Sequence, residues 1–154
     1  MMTNLCCDVL NKLKGKTLVT AESCTGGGIG AALTAVPGSS AVYKGGIISY
    51  TNEVKINQLG VDSGLLDSVG AVSAEVAKAM AIGVRKALNA DVAVSVTGLA
   101  GPDGDEFGNP VGTVFIGYAD QNKAVSKSCY FTGDRNSVRQ QAVLAALEIV
   151  LQEQ

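Results

Sequence analysis

The chain contains no histidine. This absence excludes Ser-His-Asp and Cys-His catalysis within one subunit, and it removes the usual histidine ligands of metal sites. Four cysteines are present, Cys6, Cys7, Cys24 and Cys129, without the CxxC spacing of a zinc site. We therefore expect reduced thiols and no bound metal. A serine nucleophile in this chain would need a base other than histidine.

The sequence also has few basic residues, no long apolar run and no signal-peptide pattern. A net charge of −2 without a basic stripe indicates that the chain does not bind nucleic acid. No segment reads as a membrane span. Residues 1–8 lack the basic start and apolar core of a signal peptide, which predicts a cytoplasmic location.

What remains is the composition of one compact domain. The 154 residues are 47% hydrophobic and 17% charged and include 19 glycines, as expected for an α/β protein with tight turns. No linker or repeat is evident, so we predict a single domain over residues 1–154.

Hydrophobic periodicity predicts alternating strands and helices after a leading helix. The predicted helices cover residues 3–14, 29–36, 52–59, 73–88 and 134–151. The predicted strands cover residues 17–20, 45–50, 91–96, 112–119 and 124–131. The last two strands flank a tight turn and should form an antiparallel hairpin. The sequence thus predicts a three-layer α/β/α sandwich around a mixed sheet of about five strands.

Three of these strands end in polar or glycine-rich segments. Ser23 follows the first strand and Thr97 follows the third. Lys55 follows the second strand, in a short helix that Asn52 would cap. Ligands of open α/β sheets bind outside the carboxyl ends of the parallel strands. We therefore expect Ser23, Lys55 and Thr97 to lie close together.

The segment around Ser23 is a strand-to-helix turn, where backbone N–H groups of the first helical turn can hold an anion or an oxyanion. Serine and threonine before a helix are also ordinary N-cap residues. Capping does not account for the three glycines at 26–28, each of which costs roughly 0.5–1 kcal/mol relative to alanine. The pattern favours a functional loop.

These residue types suit acyl transfer, with Ser23 as nucleophile and Lys55 as base. A lysine accepts a proton near neutral pH only if burial or nearby positive charge lowers its pKa from about 10.4; otherwise Lys55 is a solvated helix residue. Arg135 and Arg139 share one face of the last helix, where they would clamp a phosphate or carboxylate or pair with aspartates.

Two rival interpretations concern the same turn. The pattern Gly26-x-Gly28-x-x-Ala31 resembles a dinucleotide-binding fingerprint, but Ser49 and Tyr50 stand where its ribose-binding acid is expected. Cys24, at a helix start, is an alternative nucleophile that would also lack a histidine.

Five ordered motifs identify a family. They are AESCTGG at 21–27, YTNEVK at 50–55, SVTGLAGPDG at 95–104, PVGTV at 110–114 and FTGDRNSVR at 131–139. Together they resemble the CinA carboxy-terminal domain family, from about residue 17 to the last helix. The chain looks like a stand-alone member, without a preceding molybdopterin-binding-like domain.

This resemblance implies hydrolysis of nicotinamide mononucleotide to nicotinate mononucleotide and ammonia, without a cofactor. Carried over by position, Ser23 attacks the carboxamide, Lys55 transfers the proton and Tyr50 lines or orients the site. The implied substrate-binding residues are Thr25, Gly26, Gly27, Thr97, Gly98, Gly101, Arg135 and Arg139. Thr97 and Gly98 would help to bind the substrate or its oxyanion. A homo-oligomer, with a dimer as the expected form, completes this hypothesis. The alternative is a catalytically silent nucleotide-binding module of a competence- or damage-linked protein.

Overall fold

A computed structural model describes all 154 residues, with five strands and six α-helices. The strands are β1 Leu18–Glu22, β2 Tyr43–Ile48, β3 Val92–Gly98, β4 Thr113–Ala119 and β5 Ala124–Tyr130. The helices are α1 Met2–Lys12, α2 Gly28–Thr34, α3 Asn52–Leu59, α4 Ser63–Val69, α5 Ala74–Ala87 and α6 Arg135–Glu153. None of these helices is both long enough and apolar enough to cross a membrane.

The strands form one mixed sheet in the order β2-β1-β3-β4-β5. Strand β1 runs parallel to both β2 and β3, while β4 and β5 are antiparallel to their neighbours. In this register Glu22 lies beside Ile48 on one side and Val96 on the other. The segments that follow β1, β2 and β3 therefore leave the sheet side by side, as the sequence predicted.

Two apolar cores, one on each face of the sheet, make three layers. Alternation along the strands separates them: Leu18 packs under α1, α2 and α6, whereas Val19 and Ala21 pack against α3, α4 and α5. The first core contains 24 buried residues and the second 12, so the face covered by α6 is the larger. The predicted α/β/α sandwich is confirmed.

Helix α4, Ser63–Val69, is the α-helix that the sequence analysis missed, and a 3-10 turn at Ser39–Ala41 was not predicted either. Its N-cap is Asp62, whose carboxylate accepts a hydrogen bond from the Leu65 N–H at 2.9 Å. The helix has only seven residues, and Leu66 is the one buried residue among them. The segment therefore shows no clear helical period in its sequence.

The cap of α3 was also assigned wrongly by one residue. Thr51, in an extended conformation, accepts the Val54 N–H at 3.4 Å, so Asn52 is the first helical residue. Strand β3 extends two residues further than predicted because Thr97 and Gly98 still pair with β4.

Candidate active site

A cavity of about 390 Å³ opens at the carboxyl ends of β1, β2 and β3. Its lining includes seven of the predicted site residues, namely Ser23, Tyr50, Lys55, Thr97, Gly98, Gly101 and Arg135. They lie after β1, after β2 and in the first turn of α3, at the end of β3 and in the loop that follows it, and at the first residue of α6. The topology of the sheet thus brings residues 112 positions apart in sequence into one cavity.

Lys55 is buried at this cavity, with 1% of its surface exposed. It lies in the first turn of α3, directly after the segment that leaves β2. Its Nζ lies 2.7 Å from the Ser49 carbonyl oxygen, 3.3 Å from the Tyr50 carbonyl oxygen and 3.0 Å from Ser23 Oγ. The alternative of a solvated helix lysine is therefore wrong.

Burial lowers the pKa of Lys55 from its usual 10.5 to about 8, and the neighbouring Cys24 opposes this shift only in part. No carboxylate pairs with Lys55, because the single ion pair of the chain joins Lys123 and Glu153. A neutral amine has two N–H donors and one lone pair. The two carbonyl oxygens can take the donors, which leaves the lone pair for the hydroxyl hydrogen of Ser23.

Ser23 is held where β1 gives way to the turn. Its backbone N–H donates to the Val96 carbonyl at 3.0 Å, so the backbone pairing of β1 with β3 continues through this residue. Its side chain is 7% exposed and lines the cavity. Besides Lys55, the nearest acceptor of its hydroxyl is the Tyr50 carbonyl at 3.5 Å, which is too long for a strong hydrogen bond.

Glu22, which the sequence analysis did not single out, occupies the start of α2. Its buried carboxylate accepts hydrogen bonds from the Thr25 hydroxyl at 2.7 Å, the Ile29 N–H at 2.9 Å and the Gly30 N–H at 3.0 Å. The N–H groups expected to hold an anion are therefore filled from within the chain. An acid at the end of a buried strand, just before a glycine-rich helix start, is the signal that would have identified this cap.

The three glycines of the turn serve the backbone rather than a ligand. Gly26 and Gly27 have φ values of +58° and +102°, which favour glycine. A Cβ on Gly28 would lie 3.1 Å from Val143 Cγ2, so α2 and α6 approach closely there. Thr25, Gly26 and Gly27 are not among the residues that line the cavity, so their contact with substrate stays a prediction.

The two arginines do not form a common clamp, although they lie one helical turn apart. Arg135 donates to the Gly101 carbonyl and, at 3.2 Å, to the Tyr50 hydroxyl, and it lines the cavity. Arg139 instead donates to the carbonyl oxygens of Cys24 at 3.0 Å and Thr25 at 3.2 Å, outside the cavity. Neither forms the ion pair with an aspartate that the sequence left open.

Comparison with known proteins identifies the family of the chain. The protein-family model of the CinA C-terminal domain matches residues 2–154 of the sequence. The chain belongs to the CinA C-terminal domain family.

Relatives of two sizes share this domain. Nicotinamide-nucleotide amidohydrolase PncC from Pseudomonas putida is 50% identical over 135 residues, which cover 88% of this chain and 84% of that protein. A CinA-like protein from Geobacter metallireducens is 50% identical over 134 residues, which cover 87% of this chain but 32% of that protein. The chain spans about a third of the length of several such longer curated relatives.

Solved structures of the family have the same fold. A CinA superfamily protein from Escherichia coli superposes with a TM-score of 0.97 at 35% identity, and the match covers 100% of this chain and 91% of that chain. A competence/damage-inducible protein from Agrobacterium tumefaciens gives a TM-score of 0.93 at 37% identity, covering 98% and 94% of the two chains.

The geometry of this CinA C-terminal domain also bears on the two rival interpretations. Burial raises the pKa of the Cys24 thiol to about 11, so it stays protonated and is a poor nucleophile. A dinucleotide fingerprint needs a helix start that is free to receive a pyrophosphate. The carboxylate of Glu22 already occupies the start of α2.

The depressed pKa of Lys55 predicts a specific dependence of stability on pH. A lysine with a pKa of about 8 when folded and 10.5 when unfolded destabilises the native state fully below pH 8, and the effect disappears above pH 10.5. Relative to Lys55→Met, the wild type should gain on the order of 3 kcal/mol as the pH rises through this window. Urea unfolding of both proteins across this pH window measures the gain.

Lys78→Met, on the exposed face of α5, is the matched control and should follow the wild type at every pH. A difference between wild type and Lys55→Met that does not change with pH would contradict a depressed pKa.

Proposed function

We propose that the chain hydrolyses the carboxamide of nicotinamide mononucleotide, releasing ammonia and nicotinate mononucleotide. The observation that carries this proposal is the 3.0 Å approach of the buried Lys55 Nζ to Ser23 Oγ, at the cavity where a substrate has access. The relative from Pseudomonas putida, a nicotinamide-nucleotide amidohydrolase that aligns over most of both chains, supports the choice of substrate.

In the proposed mechanism, neutral Lys55 accepts the hydroxyl proton of Ser23 as Oγ attacks the carboxamide carbon. The resulting ammonium returns that proton to the amide nitrogen, which leaves as ammonia when the carbon–nitrogen bond breaks. The product of this half-reaction is an ester of Ser23. Water then attacks the ester carbonyl, and Lys55 transfers one proton of the water to Ser23 Oγ as the carboxylic acid departs; the acid loses its remaining proton to solvent and becomes the carboxylate.

Thr97 is suited to orient the carboxamide. Its hydroxyl donates to the Ala71 carbonyl at 2.9 Å, so its single hydrogen is already used. The oxygen keeps its lone pairs and can accept a hydrogen bond from the substrate amide N–H. We therefore assign Thr97 to the leaving nitrogen rather than to the oxyanion.

The neighbouring Gly98 gives the pocket its shape. A Cβ at this position would lie 2.7 Å from Val114 Cγ2, so the close approach of β3 and β4 requires glycine.

The phosphate of the substrate is assigned to Arg135. This guanidinium lines the cavity, has no carboxylate partner and uses two of its nitrogens on Gly101 and Tyr50. Tyr50 connects the two ends of the site, because its hydroxyl accepts from Arg135 and its carbonyl accepts from Lys55.

A cytoplasmic location and a dimeric assembly stay predictions from the sequence.

A nucleotide-binding module without turnover is the alternative function. Binding alone gives no reason to bury a lysine beside a serine hydroxyl, since an unpaired buried amine destabilises the fold. The amidase is therefore the better account of Lys55.

Replacing Ser23 by alanine should lower kcat for nicotinamide mononucleotide by at least about a thousandfold, because the nucleophile is lost. Cys24→Ala is the matched control and should keep kcat within about tenfold. Ammonia release by the purified proteins measures both. Near-normal activity of Ser23→Ala, or loss of activity in Cys24→Ala alone, would exclude Ser23 as nucleophile.

The pH dependence of kcat/KM should show an acidic limb with an apparent pKa of about 8, since only the neutral amine of Lys55 accepts the proton. Activity should fall tenfold per pH unit below this limb. Lys55→Arg should be inactive at all pH values, because a guanidinium stays protonated. A rate that is flat from pH 6 to 9, or an active Lys55→Arg enzyme, would exclude Lys55 as base.

Arg135→Gln should reduce the preference for the nucleotide over nicotinamide riboside, which lacks the phosphate. We expect kcat/KM to fall by about 10- to 100-fold for the nucleotide and to change little for the riboside. Arg85→Gln, which also removes an arginine bonded to a backbone carbonyl, is the control. An unchanged preference would place the phosphate elsewhere.

A further inference from the structure

Arg139 holds the two peptide groups that follow the Cα atom of Cys24. Its Nε donates to the Cys24 carbonyl at 3.0 Å and its Nη2 to the Thr25 carbonyl at 3.2 Å. The neighbouring Val138 is fully buried in the larger apolar core, between α6 and the sheet, and this packing fixes the helix against the sheet. The guanidinium fork therefore ties a rigid helix to the segment next to Ser23.

The same segment contains backbone donors without a partner in the protein. The N–H groups of Ser23, Gly26 and Gly28 are paired with the carbonyls of Val96, Ser23 and Thr25. The N–H groups of Cys24, Thr25 and Gly27, by contrast, donate to no backbone carbonyl.

The trans peptide bond links these two observations. In a planar trans peptide the C=O and the N–H point in opposite directions. The Cys24 carbonyl that Arg139 binds and the Thr25 N–H belong to one peptide group, so the guanidinium fixes the direction of this N–H, away from itself. A charged donor on the carbonyl also polarises the amide and strengthens its N–H as a donor.

Building on the proposed amidase function, we propose that Arg139 is a positioning residue that aligns the Thr25 N–H toward the oxyanion formed when Ser23 attacks the carboxamide. The Cys24 N–H, the second donor, belongs to the peptide group whose Ser23 carbonyl accepts from the Gly26 N–H at 3.1 Å, so the turn itself fixes its direction. Two backbone N–H groups beside a nucleophile are the usual donors of such a site. Glu22 also binds this segment, because its carboxylate accepts the hydrogen bond of the Thr25 hydroxyl. Arg139 touches no reacting atom and acts through the peptide groups alone.

Three roles of Arg139 make different kinetic predictions. A phosphate ligand would affect the nucleotide more than the riboside. A purely structural brace would lower the free energy of unfolding and leave kcat unchanged. A positioning residue lowers kcat for both substrates by the same factor and leaves KM nearly unchanged, because the aligned donors act in the transition state.

The test compares Arg139→Gln, Arg139→Lys and Arg139→Ala with the wild type, using nicotinamide mononucleotide and nicotinamide riboside as substrates. We expect kcat to fall about 10- to 100-fold for both, since small displacements of catalytic groups have effects of this size. Added methylguanidinium should restore part of the activity of Arg139→Ala, through the cavity of about 250 Å³ that Arg139 lines. Arg85→Gln, far from the cavity, should match the wild type.

Unchanged kcat in the folded variants, or a loss confined to the nucleotide, would overturn the proposal. Circular dichroism identifies any variant that does not fold, and Arg139→Lys then carries the test because it keeps the charge but not the two-pronged contact.

A second measurement separates this proposal from the proposed function. If the wild type releases no ammonia, the amidase proposal fails, and the rate at which a fluorophosphonate labels Ser23 becomes the readout. Slower labelling in the Arg139 variants supports positioning, because the phosphoryl oxygen needs the same donors, and unchanged labelling overturns it.

Discussion

The burial of one lysine without a counter-charge is the constraint on which the site depends. Lys55 is bound only by two carbonyl oxygens and the Ser23 hydroxyl, so no ion pair compensates the removal of its ammonium group from water. A carboxylate in contact with Nζ would stabilise the charged form and eliminate the base. The acid nearest in sequence to the nucleophile, Glu22, is instead bound by three donors of its own turn. The chain thus keeps its acids and its base apart.

The same separation explains how the remaining charges are used. Glu22 fills the positive end of α2, Arg139 binds backbone carbonyls next to the nucleophile, and Arg135 lies at the cavity without an ion pair. Each charged group meets peptide dipoles rather than an opposite charge. The turn that carries Ser23 is consequently held by both Glu22 and Arg139, while the amine of Lys55 remains free to exchange a proton.

The sequence predicted the sheet and the gathering of Ser23, Lys55 and Thr97, because hydrophobic periodicity determines where parallel strands end and topology brings those ends together. It did not predict what each polar group binds. The glycine at 28 is explained by Val143, and the position of Arg139 by the Cys24 carbonyl, both more than 100 residues away in the sequence. Such contacts depend on how α6 packs against α2, which no local pattern specifies. Equal spacing on a helix face therefore misled the assignment of the two arginines.

The use of lysine in place of histidine shifts the balance between protonation and base strength. With a pKa of about 8, roughly a tenth of Lys55 is neutral at pH 7, fewer than for an ordinary histidine. The neutral amine is, however, a stronger base than imidazole. It therefore removes the hydroxyl proton of Ser23 more readily in the transition state. Deeper burial would increase the neutral fraction but weaken the base and destabilise the fold further. The position of Lys55, beside the cavity yet 1% exposed, is a compromise among these three quantities.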